Sequence, residues 1–315
     1  MLVINELLDS FREFQTILSA SAKSMSLNSS SIFRRDVCQV KPESLIVDYS
    51  APSYSGTQEL NNGHFSLFDN INVEQTINFL KKDGFFLGIN LPQDVVQEIW
   101  QFAIHTPCYG NGKTNLGFYY ADKEQAQAKY GNALVSGNYY NTALLCPAIK
   151  KLERDSLLLE IARQYLEAEP VHQANQLRWN FPVESTIYER RQAVQMFHCD
   201  SDDRRSLKFS FYITDVDLCS SPHVCVRRSH GKKKLSPHLL QRGLSFQEIT
   251  KYYGYKNIVP ICGKAGFGFV EETGCFHKET PPGSKDRLLL QIEFAVKNYG
   301  NQNEVRENSQ LEFLL

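Results

Sequence analysis

Apolar residues follow a helical spacing in the first part of the chain and alternate with polar ones from about residue 176 onward, so the pattern predicts helices first and strands after. Ile4, Leu7, Leu8, Phe11, Phe14 and Leu18 fall on one face of an amphipathic helix. Ser19 to Ser31 is rich in serine, and turn-forming sequence continues to about Asn70, the pattern of a linker or surface extension. Asn72 then has the form of a helix N-cap answered by Gln75; Val73, Ile77 and Leu80 form an apolar stripe, and Asp83-Gly84 supplies the stop. A compact domain therefore starts near residue 71. Phe85 to Ile89 reads as a short buried strand. Pro92 opens a helix with Val95, Val96, Ile99, Trp100 and Phe102 inward, and Pro147 to Leu166 reads as a helix broken near Asp155.

The segments Gln176–Phe181, Gln192–His198, Leu207–Thr214, His223–Val226, Ala265–Val270 and Arg287–Val296 have the period of strands, several of them bounded by Gly, Pro or Asp-Asp turns. The fold class expected is mainly β with flanking helices. Strands in this number close as a jelly roll or barrel, which removes exposed edges. The division expected is an N-terminal helix and Ser-rich extension over 1–70, a catalytic-type domain over 71–298 and a tail over 299–315. No internal repeat is visible.

Composition changes this picture little. The chain has 315 residues, 42% hydrophobic and 22% charged, which suits a globular protein with a sizeable core. Lys and Arg total 34 against 35 Asp and Glu, a net charge of -1, which argues against a nucleic-acid partner and in favour of a small molecule. The eight cysteines form no Cys-x-x-Cys pair, as expected of reduced thiols in a cytoplasmic protein. Glu6, Asp9, Arg12 and Glu13 interrupt any apolar run of signal or membrane length, so neither export nor a membrane partner is expected.

The candidate chemistry begins at His198 and Asp200. Two positions apart on a strand, their side chains share a face and can bind one ion. The pair alone is weak, since His-x-Asp arises by accident. Its company strengthens it: His277 lies far downstream, and ten residues later Arg287 opens a strand on which it shares a face with Leu289, Gln291 and Glu293. Two imidazoles and a carboxylate can hold Fe(II) by one face and leave the other open. A guanidinium can grip a carboxylate through paired hydrogen bonds; the competing use of Arg287 is a buried ion pair with Glu293 or another acid.

In this order the motifs resemble the phytanoyl-CoA dioxygenase family of Fe(II)- and 2-oxoglutarate-dependent oxygenases. The resemblance covers about residues 71 to 297. It includes Lys82-Asp-Gly84-Phe-Phe, Phe197-His-Cys-Asp-Ser-Asp-Asp203, the strand from Leu207 to Asp217, Ser221-Pro-His-Val-Cys-Val-Arg-Arg-Ser-His230, and His277 followed by Arg287. It implies a double-stranded β-helix (jelly-roll, cupin-like) core, with iron held by His198, Asp200 and His277. It also implies that Arg287 takes the far carboxylate of 2-oxoglutarate, with dioxygen as the second cosubstrate. The implied reaction releases succinate and CO2 and hydroxylates a small organic substrate. The retained carboxylate of Asp200 favours hydroxylation over halogenation, which needs that position open for chloride.

Gln195, three residues before His198, either reaches the cosubstrate or makes a strand hydrogen bond. His230 corresponds to a second family histidine with a structural role, and His64, His105, His172, His223 and His238 are expected to be structural or solvated. Arg227, Arg228, Lys232, Lys233 and Lys234 form either a solvated turn or a phosphate-binding patch. Two positions depart from the family: Arg228 replaces a glycine, and Lys278-Glu279-Thr280 follows the distal histidine where small residues are usual. Glu279, if turned inward, would sit against the cosubstrate carboxylates. That departure motivates an alternative, a catalytically silent jelly-roll binding or regulatory protein that retains the metal site. A zinc hydrolase would need a general base, and the chain has no His-Glu-x-x-His.

Overall fold

The computed structural model describes residues 66–69, 71–182, 196–200, 205–231, 243–280, 285–300 and 304–315. The expected N-terminal helix, Gln195 and Lys232 to Lys234 lie outside the described residues, as does most of the expected strand Gln192–His198.

Helix α1 (Val73–Asp83) begins and ends as its sequence predicts. The Asn72 side chain accepts a hydrogen bond from the Gln75 N–H, and Gly84 takes a left-handed φ of 86° while its N–H closes on the Leu80 carbonyl. Helix α2 (Gln93–His105) buries Val95, Val96, Ile99 and Ala103. A helical turn, α3 (Lys123–Tyr130), and two short helices, α4 (Thr142–Leu145) and α5 (Pro147–Leu152), precede α6 (Ser156–Leu166). The break expected near Asp155 is real. Asp155 caps α6 by accepting from the N–H groups of Leu157 and Leu158, and it also takes the Leu67 N–H and the Ser66 hydroxyl. Helix α7 (Phe246–Tyr253) carries a full capping box between Ser245 and Glu248.

The strands are β1 (Phe85–Leu87), β2 (Cys108–Gly110), β3 (Gly117–Phe118), β4 (Ser136–Asn138), β5 (Val171–Asn180), β6 (Ser206–Tyr212), β7 (His223–Val226), β8 (Ile258–Ile261), β9 (Gly268–Glu272), β10 (His277–Glu279) and β11 (Arg287–Ala295). The larger sheet runs β1-β9-β6-β11-β5-β4-β2-β3, and the smaller runs β10-β7-β8; every pairing is antiparallel. Residues 197 and 198 extend the smaller sheet through bridges from Phe197 to Leu244 and from His198 to His277.

Several strands differ from the expected bounds: β1 stops at Leu87, β6 runs Ser206–Tyr212 instead of Leu207–Thr214, and β11 stops at Ala295. The strand expected at Ala265–Val270 begins three residues later, because Gly266 turns the chain at φ 95° and its N–H is taken by the Tyr212 carbonyl. The strand expected at Gln176–Phe181 starts at Val171, because β11 pairs with it over that whole length. Pro260 is accommodated in β8, which is the last strand of the smaller sheet.

Alternation divides the larger sheet into two faces. Leu207, Phe209 and Phe211 of β6, Leu288, Leu290, Ile292 and Phe294 of β11, and Leu177 and Trp179 of β5 join the apolar faces of α2 and α6 in the main core. The intervening residues, among them Arg178, Asn180, Lys208, Ser210, Arg287, Gln291 and Glu293, form the opposite face, and His277 and Glu279 of the smaller sheet reach across to it. Residues 304–315 dock on the far end of the larger sheet. Glu304 accepts from the N–H and hydroxyl of Thr142, and Phe313 bridges Gly117.

Candidate metal centre

His198 and His277 face each other across one antiparallel bridge, with His198 N to His277 O at 3.0 Å and His277 N to His198 O at 2.8 Å. Each imidazole is oriented by its own backbone. His198 Nδ1 lies 2.8 Å from the Met196 carbonyl, and His277 Nδ1 lies 2.9 Å from the Cys275 carbonyl. A carbonyl can only accept, so each Nδ1 carries the proton and each Nε2 keeps a free lone pair. Asp200 Oδ1 lies 3.9 Å from both Nε2 atoms, and one donor atom from each of the three residues falls within 4.8 Å of the others. The ring centroids are 4.3 Å apart. The three residues that the sequence singled out as ligands therefore converge, with donors fit for a divalent transition metal. Side-chain exposure is 23% for His198, 22% for Asp200 and 5% for His277, so the cluster is open on one side.

Protonation favours the same use. Burial, reinforced by the neighbouring His277, pulls His198 down to about 4, which keeps its ring neutral. Burial alone would push Asp200 up, but Lys208, His277 and His198 override it and hold the carboxyl below the usual range. Lys208 donates to Asp200 Oδ2 at 2.8 Å, leaving Oδ1 facing the imidazoles. The same ammonium lies 3.8 Å from Glu293 on β11, and Glu271 on β9 is its register partner on the other side. Burial would lower Lys208, yet Asp200, Glu293 and Glu271 raise it above the ordinary lysine value.

Arg287 is fully buried, on the inward face expected for it. Its Nη1 donates to the Ser221 carbonyl, and its Nη2 donates to Asn180 Oδ1 at 3.0 Å. Glu279 does turn inward. Its Oε1 lies 2.7 Å from Arg287 Nη2 and also accepts from Arg178 Nη2, while its Oε2 accepts from Asn180 Nδ2 at 2.6 Å. Burial would raise Glu279, but Arg178 and Arg287 bring it down to about 2, so it is a carboxylate. Two guanidiniums thus share one acid. Among the described residues, Arg178 Nε and Arg287 Nε are buried without a hydrogen-bond partner.

A second buried group adjoins the first. His223 Nε2 and Cys225 Sγ lie 3.0 Å and 3.1 Å from Glu271 Oε2, and the His223 ring stacks on His277 with centroids 5.4 Å apart. His223 is therefore neither solvated nor remote. The sequence carried a signal for it, because His223 and Cys225 alternate with the buried Val224 and Val226. Lys208 and Arg178 were equally legible by alternation with Leu207, Phe209, Leu177 and Trp179. His230 stays outside the cluster, near the Lys81 carbonyl and Cys275, consistent with a structural role. His105 and His172 bond to the Gln101 carbonyl and Asn175.

No protein-family model matches the chain, and no curated protein matches it in sequence. Solved structures do match. HygX from Streptomyces hygroscopicus, crystallised with nickel, 2-oxoglutarate and hygromycin B, aligns at a TM-score of 0.52 and 11% identity over 74% of this chain and 89% of its own. The fold is a double-stranded β-helix. Two further structures are similar at TM-scores of 0.49. One is SnoK, a non-heme alpha-ketoglutarate-dependent carbocyclase from nogalamycin biosynthesis, at 13% identity over 79% of this chain and 93% of its own. The other is EctD from S. alaskensis with bound Fe, at 16% identity over 79% and 86%. In this double-stranded β-helix the bridge between His198 and His277 lies on the smaller sheet, and Arg287 opens the strand that pairs with both β5 and β6.

Proposed function

We propose that this protein is an Fe(II)- and 2-oxoglutarate-dependent oxygenase that hydroxylates a small organic substrate, a reading in line with its resemblance to the phytanoyl-CoA dioxygenase family. The observation that carries it is the convergence of His198, Asp200 and His277 with both Nδ1 protons committed to backbone carbonyls. HygX, which shares the fold, was crystallised with nickel and 2-oxoglutarate, and that supports the same pair of ligands here. Fe(II), when bound, would activate dioxygen, and 2-oxoglutarate would supply two electrons as it loses CO2 to become succinate, with one oxygen atom passing to the substrate.

The chain's own residues position and exclude. His198, Asp200 and His277 would hold the metal by one face, leaving the other for the 2-oxo acid and dioxygen. Arg287, fully buried and with its Nε without a partner, would offer its guanidinium to the distal carboxylate of the cosubstrate. Lys208 fixes the Asp200 oxygen that faces away from the imidazoles. Protein loaded with Fe(II) and supplied with 2-oxoglutarate and oxygen should release succinate even without substrate. His198→Ala and Asp200→Ala should abolish that release, and unchanged turnover in either variant would sink the ligand assignment.

One observation favours a second reading. The ion pair between Glu279 and Arg287 gives the guanidinium an internal partner, as a silent binding protein that kept the metal would have. Metal-loaded wild-type protein that binds substrate-like ligands yet forms no succinate would favour that reading.

A further inference from the structure

We propose that Glu279 competes inside the protein for the guanidinium that takes the cosubstrate's distal carboxylate, and that Arg178 is the positioning residue that holds this competitor in check. The proposal rests on the oxygenase reading and concerns how the site distinguishes 2-oxo acids with a second carboxylate from those without one.

Geometry supplies the argument. Arg178 and Asn180 are two residues apart on β5, and Asn180 is the register partner of Arg287 on β11, so all three project from one patch of the larger sheet. Glu279 reaches the same patch from the smaller sheet, two residues beyond His277. Its Oε1 is shared between Arg287 Nη2 and Arg178 Nη2, and its Oε2 is held by Asn180. Arg287 has Nη1 on the Ser221 carbonyl and both N–H groups of Nη2 engaged by Asn180 and Glu279. A carboxylate that grips it through Nη2 and a neighbouring N–H must therefore displace one of these two, and Glu279 is the one that competes by charge.

Glu279 can yield without being stranded. After leaving Arg287 it keeps the Arg178 and Asn180 donors, so no buried charge is left bare. Charge balance points the same way. Two guanidiniums and one carboxylate leave one positive charge uncompensated, and a second carboxylate neutralises it. A 2-oxo acid with a distal carboxylate supplies that group, whereas pyruvate, with the same metal-chelating head, does not. Without Arg178, the nearest cation left to Glu279 is Arg287, and the competitor then wins.

The test measures binding to Ni(II)-loaded full-length protein by titration calorimetry, with 2-oxoglutarate and pyruvate as probes. Arg178→Met should weaken 2-oxoglutarate by roughly tenfold or more, the size of a charge-assisted hydrogen bond. Glu279→Gln should tighten it by a similar factor. The double variant Arg178→Met/Glu279→Gln removes one charge of each sign, so it remains informative if Glu279→Gln does not fold; it should bind 2-oxoglutarate at least as tightly as the wild type. Pyruvate affinity should stay the same throughout. A double variant as weak as Arg178→Met would mean that Arg178 itself receives the ligand, and parallel shifts for pyruvate would place the effect at the metal; either result overturns the proposal alone. No 2-oxoglutarate binding to the wild type or any variant would overturn the oxygenase reading with it.

Discussion

The inner face of the larger sheet and the residues that reach it carry Asp200, Glu271, Glu279 and Glu293 against Lys208, Arg178 and Arg287, a concentration of charge that only mutual pairing makes tolerable. Lys208 is the residue on which most of the acids depend. Replacing it by Met should destabilise the metal-free protein by about 3 kcal/mol, because removing one partner of a buried pair leaves the other charges uncompensated. Ni(II) should reduce that loss by supplying a cation beside Asp200. Urea unfolding with and without metal checks both parts, and an equal loss in the two states would contradict the placement of Lys208 against the metal site. The His198 and Asp200 pair was legible in the sequence because residues two apart in extended chain share a face, although the chain here makes only isolated bridges at Phe197 and His198 and Asp200 lies just beyond them rather than on a strand. The charges around Lys208 were not. They depend on the register that sets Lys208 opposite Glu293 on one side and Glu271 on the other, and register is a property of three separate strands.

At the scale of elements, the ends of helices were legible, and of the shortest strands only β1 was. Asn72, Gly84 and Asp155 each act within a few residues of themselves, so local sequence specifies them. Strands β2, β3, β4 and β10 have two or three residues each, too few for an alternation to show, and they exist because longer neighbours pair with them. Gly84 links a cap to the site. A Cβ there would lie 2.1 Å from Cys275 Sγ and 2.5 Å from His230 Nδ1, at a φ of 86° that side chains avoid. Gly84→Ala should cost about 3 kcal/mol from the left-handed backbone and the clash together. It should also weaken metal binding, because the displaced residue is Cys275, whose carbonyl orients His277. Asp155→Ala should cost about 2 kcal/mol, as it removes both the α6 cap and the tie to Leu67, with no effect on metal affinity. Thermal melts and metal titration of the two variants separate these outcomes.

For the whole molecule, the sequence announced a mainly β fold with flanking helices, and the two sheets bear this out, although β2, β3 and β4 lie among the helices and α7 among the strands. It could not announce which strands become neighbours. Phe85 pairs with Glu271 and Asn180 with Arg287, and such long separations are decided by the way the sheets fold over one another. That closure brings His277, from near the end of the domain, onto His198, so the metal should act as a clasp across the smaller sheet. Ni(II) at a hundredfold excess over its dissociation constant should stabilise the wild type by about 3 kcal/mol, and Asp200→Ala by much less. The most direct test of the central claim is the visible spectrum of anaerobic protein to which Fe(II) and then 2-oxoglutarate are added. A weak charge-transfer band should grow with 2-oxoglutarate, saturate near equimolar cosubstrate and be absent from His198→Ala and Asp200→Ala. Folded, iron-loaded wild-type protein that shows no such band would contradict the assignment of this site.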